Sequence, residues 1–123
     1  MQKILIIVGD LKLNAELNDS TTAQLVAAQL PLSARANIWG DEIYFAIPVT
    51  AAEAADAREE VEIGTLAYWP PGNALCIFYG PTPASRSAQP RAASPVNMIG
   101  RIVEDATVLR SVRSGATVRV EAG

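Results

Sequence analysis

Two strand-like segments separated by a turn open the chain. Residues 4–8 are all Ile, Leu or Val, and residues 11–17 alternate between apolar and polar side chains. Gly9 and Asp10 lie between the two segments, and a glycine in a two-residue turn can adopt the positive φ that β-hairpins require. The pattern therefore predicts strands over residues 3–8 and 11–17, paired as a hairpin.

Apolar residues recur at helical spacing in two short segments. A helix is predicted over residues 20–30, because Thr21 and Gln24 have the spacing of a capping box and Pro31 disfavours continuation. A second helix is predicted over residues 105–113. Its N-cap and its inward-facing side chains are expected to be Asp105 and then Val108, Leu109 and Val112.

Apolar runs and alternation predict six further strands. They cover residues 33–39, 42–49, 65–69, 74–79, 96–103 and 117–122. Gly40-Asp41 provides a hairpin turn between the first two, and Pro70-Pro71-Gly72-Asn73 provides a type II turn with its glycine at the third position. Gly100, inside a strand, indicates a bulge or a close approach of two backbones.

Two segments show neither the helical spacing nor the strand alternation of apolar residues. Residues 51–62 carry five acidic side chains among small residues, which is typical of a solvated loop or short helix. Residues 81–95 contain four prolines and three serines but no large apolar residue, so they form either a functional lid or a disordered excursion. Arg86 and Arg91 in this segment either close over an anionic or amide ligand or keep the loop soluble.

Eight mostly antiparallel strands and two short helices are a large amount of sheet for a short chain. Closing the sheet removes its exposed edges, so we predict a mainly β fold, a closed eight-stranded antiparallel barrel capped by two short helices. A two-layer α+β sheet and an open sandwich are the competing architectures. The length of 123 residues suffices for one core, which predicts a single domain over residues 1–123.

The amino-acid composition excludes several kinds of catalytic and metal-binding site. The chain has no histidine and one cysteine, Cys76, which excludes zinc sites built from His and Cys, Ser-His-Asp and Cys-His nucleophiles, and disulfides within the chain. No cofactor-binding glycine loop or calcium loop occurs, so no cofactor or metal is expected. Cys76 lies in an apolar strand and is expected to be a buried small apolar residue.

The net charge and the N-terminal residues indicate which partners and which location to expect. The net charge of −3 provides no footprint for nucleic acid or an anionic membrane, so neither is expected as a partner. The apolar run at residues 4–8 is too short for a signal peptide or a membrane span. A cytoplasmic location is the resulting expectation.

Three strings in the chain resemble a known family. NIWGDEIYFAIPV, EIGTLAYWPPGNALCIFYGPTP and VNMIGRIVE are similar to sequences of small prokaryotic cyclophilin-like proteins without an established activity, and the likeness extends over nearly the whole chain. The order of strands and helices also resembles that of the true cyclophilins, which are peptidyl-prolyl isomerases. The resemblance implies the cyclophilin-like barrel.

The resemblance also shows where the isomerase catalyst is missing. If Ile47-Pro48 is matched to the Ile-Pro that follows the cyclophilin arginine, Phe45 occupies the position of that catalytic arginine. On the later strand, Cys76 occupies the position of an aromatic residue that forms a wall of the cyclophilin proline pocket. A benzyl ring cannot donate a hydrogen bond to an amide, so the usual isomerase mechanism lacks its donor.

Polar and aromatic residues in or near these strings form the candidate site. The candidate ligand-binding residues are Trp39, Glu42, Tyr44, Trp69, Tyr79, Arg86 and Asn97. Alternation along the strand puts Glu42 and Tyr44 on one face and Ile43 and Phe45 on the other, which suits the core. The aromatic residues are alternatively explained by packing in the core or at its rim.

Three functions are consistent with these observations. The first is binding of a small molecule or a short, proline-containing peptide in a groove, with the loop after Pro81 as a lid. The second is prolyl isomerisation with another donor, such as Arg35, Arg86 or Asn97. The third is a structural module whose aromatic face is buried in a homo-oligomer.

Overall fold

Ten antiparallel strands make up most of the molecule. The computed structural model describes all 123 residues. The strands are β1 (Gln2–Val8), β2 (Leu11–Leu17), β3 (Leu32–Arg35), β4 (Asn37–Ile38), β5 (Glu42–Ala46), β6 (Arg58–Glu60), β7 (Thr65–Trp69), β8 (Ala74–Phe78), β9 (Arg91–Ile102) and β10 (Thr117–Ala122). One α-helix, α1 (Thr21–Ala27), and two 3₁₀ helices, Pro70–Gly72 and Ala106–Ser111, complete the fold. None of these helices has the length and apolar character needed to cross a membrane.

The strands form one sheet in the order β3-β10-β1-β2-β9-β7-β8-β5-β4, with β6 paired to β9. The two edge strands are separated in sequence by Ala36 alone, but no ladder of hydrogen bonds joins them. The predicted strand over residues 33–39 divides at this point, and its halves pair with β10 and β5. The sheet therefore has ten strands rather than eight, and hydrogen bonds do not close it into the predicted barrel.

The N-terminal hairpin and first helix agree with the sequence pattern except at the cap. Gly9 has a φ of +57° in the predicted turn between β1 and β2. Ser20, rather than the predicted capping box, begins α1, and its hydroxyl accepts a hydrogen bond from the backbone N–H of Ala23 at 3.2 Å. The helix ends at Ala27, earlier than predicted, because the amides of Gln29 and Leu30 donate to carbonyls only three residues back.

The second predicted helix is a 3₁₀ helix, Ala106–Ser111. Asp105 caps it as expected, accepting from the backbone N–H of Thr107 at 3.0 Å. Three residues per turn place Ala106, Leu109 and Val112 on the inner face, whereas Val108 is exposed. The inward orientation predicted for Val108 is therefore wrong, because that prediction assumed the α-helical period.

The turn between β7 and β8 also differs from its predicted type. Residues Pro70–Gly72 form a 3₁₀ helix, and Asn73 rather than Gly72 has the positive φ, +47°. A Cβ at Gly72 would lie 2.7 Å from the indole ring of Trp69. Glycine is therefore required there by the packing of Trp69 and not by the backbone conformation.

Two apolar clusters lie on opposite faces of the sheet. The larger has 25 buried residues, including Ile43, Phe45 and Leu109, and packs inside the curved sheet. The smaller lies on the outer face of β7, β8 and β9 and consists of Val61, Ala67, Cys76, Phe78, Ala92 and Val96. Both faces of β8 are consequently buried, and the outer cluster forms the floor of the candidate site.

The proline-rich segment is an ordered loop that runs into a strand. β9 begins at Arg91, so the last part of the predicted loop is sheet. Earlier in the segment, the hydroxyl of Ser85 accepts from the N–H of Thr82 and donates to the carbonyl of Gln89, both at 2.8 Å. These bonds join the first part of the loop to Gln89, just before β9.

Candidate functional site

A cavity of about 280 Å³ lies on the outer face of the sheet. It is lined by Trp39, Glu42, Tyr44, Trp69, Cys76, Ala92, Ala93 and Val96. Four of the seven predicted site residues, Trp39, Glu42, Tyr44 and Trp69, therefore meet in one place. The lining is apolar or aromatic apart from the Glu42 carboxyl and a few weakly polar atoms.

Strand register explains why these side chains meet. Tyr44 of β5 lies opposite Cys76 of β8, which in turn lies opposite Ala67 of β7. Side chains two residues apart share a face, so Glu42 and Tyr44 point to the same side. The neighbouring Ile43 and Phe45 belong to the inner core, which confirms the predicted division of β5.

A hydrogen bond to the start of β9 fixes Trp69. Its indole Nε1 donates to the hydroxyl of Ser94 at 2.7 Å. The other side of the ring lies close to Gly72. The ring is thus held between the β7–β8 turn and β9, and it forms a rigid wall of the cavity.

The tight turn before β5 sets the position of Trp39. The backbones of Trp39 and Glu42 exchange two hydrogen bonds, at 2.9 and 3.2 Å, across Gly40, which has a φ of +59°. The Asp41 carboxylate pairs with Arg110 Nε at 3.0 Å. This ion pair ties the turn to the second 3₁₀ helix, and so the wall that contains Trp39 is also anchored.

Glu42 is the only carboxylate at the cavity, and it has no cationic partner. The residue is 5% exposed, and none of the ion pairs in the molecule includes it. Burial raises the pKa of Glu42 to about 7, and the contact with the Cys76 thiol acts in the opposite direction. Glu42 lines the cavity, and its carboxyl contacts the Cys76 thiol but no positively charged group.

The thiol of Cys76 lies beside that carboxyl. Burial, and then the nearby Glu42 charge, raise the pKa of Cys76 well above its usual value. A thiol with a raised pKa remains protonated at neutral pH and is a poor nucleophile. Cys76 is buried, as predicted from its apolar strand.

The other three predicted residues lie outside the cavity. Tyr79 packs in the inner core, where burial and the carboxylates of Asp41 and Glu42 raise its pKa to about 12. The exposed Arg86 lies in the loop before β9. Asn97 is buried, and its side-chain amide binds the segment that follows β5. It accepts from the N–H of Ala54 and donates to the carbonyl of Ala52 and the hydroxyl of Thr22, at 2.8, 2.9 and 3.1 Å.

Sequence reasoning missed four lining residues, namely Cys76, Ala92, Ala93 and Val96. Cys76 could have been found from the predicted β7–β8 hairpin, because its side chain alternates with those facing the core. Ala92 and Ala93 lie in the segment interpreted as a loop, where composition hid the strand. Their small side chains are what leaves space above the sheet.

A larger hollow of about 490 Å³ lies beside α1. It is lined by Met1, Leu17, three alanines and four polar residues, with no aromatic side chain among them. Its carboxylate, Asp19, is mostly exposed and already pairs with the N-terminal amine of Met1 at 2.6 Å. No group of three or more potential metal ligands occurs in the molecule. Of these two hollows, the cavity around Glu42 is the one that holds a buried carboxyl without a charged partner.

The family model described as "Cyclophilin-like" matches residues 2–121 of the chain. The chain belongs to this cyclophilin-like family. Its fold is also similar to the solution structure of the hypothetical protein AF2241 from Archaeoglobus fulgidus, with a TM-score of 0.83 and 38% sequence identity. That likeness covers 99% of this chain and 95% of the archaeal one. No curated protein matches the chain.

In this cyclophilin-like domain the two positions matched to cyclophilin catalytic and pocket residues lie on opposite faces. Phe45 is buried in the inner core, whereas Cys76 lines the outer cavity. The residue of β5 that faces the cavity beside Cys76 is Tyr44. The sequence match through Ile47-Pro48 therefore assigns the catalytic position to Phe45, which is one residue away from Tyr44 and faces the opposite side of the sheet.

Proposed function

We propose that this cyclophilin-like domain binds a small organic ligand, or one side chain of a short peptide, in the cavity lined by Glu42. The observation that carries the proposal is a buried carboxyl without a charged partner, set among three aromatic rings. Buried charged groups in folded proteins are usually paired with an opposite charge, so a buried carboxyl without one at a cavity is typical of a binding site. The volume of about 280 Å³ suits an occupant of modest size.

Prolyl isomerisation with an alternative donor has less support from the geometry. None of the three donors suggested by sequence, Arg35, Arg86 and Asn97, lines the cavity. The lining contains no guanidinium or ammonium group to polarise a prolyl amide. We expect a protease-coupled assay on a proline peptide to proceed at the rate in buffer alone. A clear acceleration would favour the isomerase alternative.

A fragment screen by NMR tests binding directly. Neutral and charged fragments are added to ¹⁵N-labelled protein, and we expect the largest amide shifts at Tyr44, Trp69 and Cys76. The indole N–H of Trp69 gives a separate signal, so its shift reports on the cavity wall. Shifts that cluster elsewhere, or do not occur, would contradict the proposal.

A cavity-filling variant and a matched control test whether the fragments bind in the cavity. Ala93 is exposed at the cavity rim, so Ala93→Leu occupies space without disturbing the core. Ala88 is equally exposed but lies outside the cavity, so Ala88→Leu adds the same side chain where it should have no effect. We expect fragment shifts to weaken in the first variant only.

A further inference from the structure

The cavity combines one unpaired acid with aromatic walls. Glu42 provides the only carboxylate, and Trp39, Tyr44 and Trp69 provide three rings with electron-rich faces. No Arg or Lys lines the cavity, so nothing inside it compensates the carboxylate when it ionises. The arrangement therefore presents negative potential to whatever enters.

We propose that the ligand of this cavity is an organic cation, a small ammonium group with or without alkyl substituents, held against the aromatic rings with Glu42 as its counter-ion. This inference names the ligand class and rests on the proposed function of the cavity as the binding site. A cation over the face of Trp or Tyr is attracted by the ring quadrupole, and more strongly where water is excluded. The ammonium charge would also complete the missing partner of the buried carboxylate.

Other ligand classes fit the lining less well. An anion would meet the Glu42 carboxylate and no positive group. A hard metal ion such as Ca²⁺ requires six or more oxygen ligands, and this cavity supplies one carboxyl and a thiol beside apolar walls. A purely apolar ligand would leave the carboxyl unpaired, at a free-energy cost.

Trp69 is positioned before a ligand binds. Its Nε1 is engaged by Ser94 at 2.7 Å, which directs the indole N–H toward β9. The ring is therefore held in one orientation, and holding it costs no further entropy when a ligand binds.

Charge neutralisation predicts a pH dependence of binding. The titratable groups around Glu42 are Tyr44 of the same strand, Cys76 of β8, Tyr79, and Asp41, which is paired with Arg110. Cys76 and Tyr79 stay protonated at neutral pH, so they do not change charge in the range where Glu42 does. With its pKa at about 7, ionisation of Glu42 makes the affinity for a cation rise about tenfold between about pH 6 and about pH 8.

A pair of isosteric probes separates charge from shape. The probes are choline and its neutral carbon isostere, the alcohol in which a tert-butyl group replaces the trimethylammonium group. We expect choline to bind more tightly in NMR titrations, by roughly 2- to 30-fold from the aromatic-cation contact and by more when Glu42 is ionised. Glu42→Gln keeps the shape but removes the charge, so the preference should shrink. Glu53→Gln, which changes an exposed acid in the loop after β5, should retain it.

The outcomes distinguish this inference from the proposed function. Equal affinity for both probes at the cavity would overturn the preference for a cation while leaving the cavity as a ligand site. A preference for choline that persists in Glu42→Gln would overturn the role of the carboxylate as counter-ion. Failure of both probes to shift the cavity amides would also overturn the inference, and the neutral members of the fragment screen would then decide the proposed function separately.

Discussion

At the residue scale, Glu42 departs most from what a stable fold requires. A carboxyl on a buried sheet face, without an Arg or Lys partner, opposes folding whenever it is ionised. Glu42 follows Asp41, whose charge is paired, and begins a strand that otherwise packs well. The free-energy cost of burying Glu42 is explained if its carboxyl binds a ligand in the cavity.

The raised pKa gives a prediction about stability and pH. The unfolded chain ionises Glu42 near its ordinary pKa of 4.5, whereas the folded chain keeps it protonated up to about 7. The folded state therefore holds the extra proton in this window, and the contribution of Glu42 to stability decreases as the pH rises through it. The total decrease is about 3 kcal/mol.

Replacement by an amide isolates this contribution. We expect Glu42→Gln to match the wild type in urea denaturation at about pH 4.5 and to be more stable above pH 7, by up to about 3 kcal/mol. Glu53→Gln should follow the wild-type profile throughout. Parallel profiles for Glu42→Gln and the wild type would show that the carboxyl ionises as easily in the folded chain as in the unfolded one.

The bond between Trp69 and Ser94 gives a second prediction. Ser94→Ala removes the acceptor for the indole N–H, so we expect a loss of about 1 kcal/mol in the free energy of unfolding and weaker choline binding. Ser33 is exposed and makes no side-chain hydrogen bond, which makes Ser33→Ala the control. An unchanged Trp69 indole signal in the Ser94 variant would contradict this role.

At the element scale, the site depends on β9. This strand pairs with β2, β6 and β7, and its first residues form one wall of the cavity. Its register against β7 shifts between Leu66 and Ala67, close to Gly100. A Cβ at Gly100 would collide with the carbonyl oxygen of Glu16 in β2. The close approach predicted from the glycine is therefore confirmed, with the irregularity beside it.

This contact predicts that Gly100→Ala is strongly destabilising. The obstacle is backbone, which cannot rotate away, so we expect a loss of about 2–3 kcal/mol on urea denaturation. Gly9→Ala is the comparison, because its Cβ would meet no atom within 4 Å and only its φ of +57° is unfavourable. That change should cost about 1 kcal/mol. A Gly100 variant as stable as the wild type would contradict the packing of β2 on β9.

Local pattern predicted the elements that depend on local chemistry. The first hairpin, the β7–β8 pair and the last strand occur where alternation and turn residues indicated them. The missed features depend on tertiary contacts. β6 is three residues long in an acidic segment, and the start of β9 has the composition of a loop. Period alone could not distinguish an α-helix from a 3₁₀ helix over six residues.

At the scale of the whole molecule, one sheet with two buried faces accounts for both the core and the site. The inner face is mostly apolar, and the alternation of β5 predicted that strand's share of it. The outer face is only partly covered, and the space left above it is the cavity. Predicting which outer residues meet required the strand order, because Trp39, Trp69 and Ala93 come from three distant parts of the chain. Four residues of the cavity lining were nevertheless among the candidates chosen for their chemistry and for the alternation of β5.

The crystal structure of this protein soaked with the fragment set is the most direct test of the cavity as the ligand site. We expect fragment density between the Glu42 carboxyl and the rings of Tyr44 and Trp69, with cationic fragments the best ordered. Fragments that occupy the hollow beside α1 while the cavity around Glu42 stays empty would contradict the account.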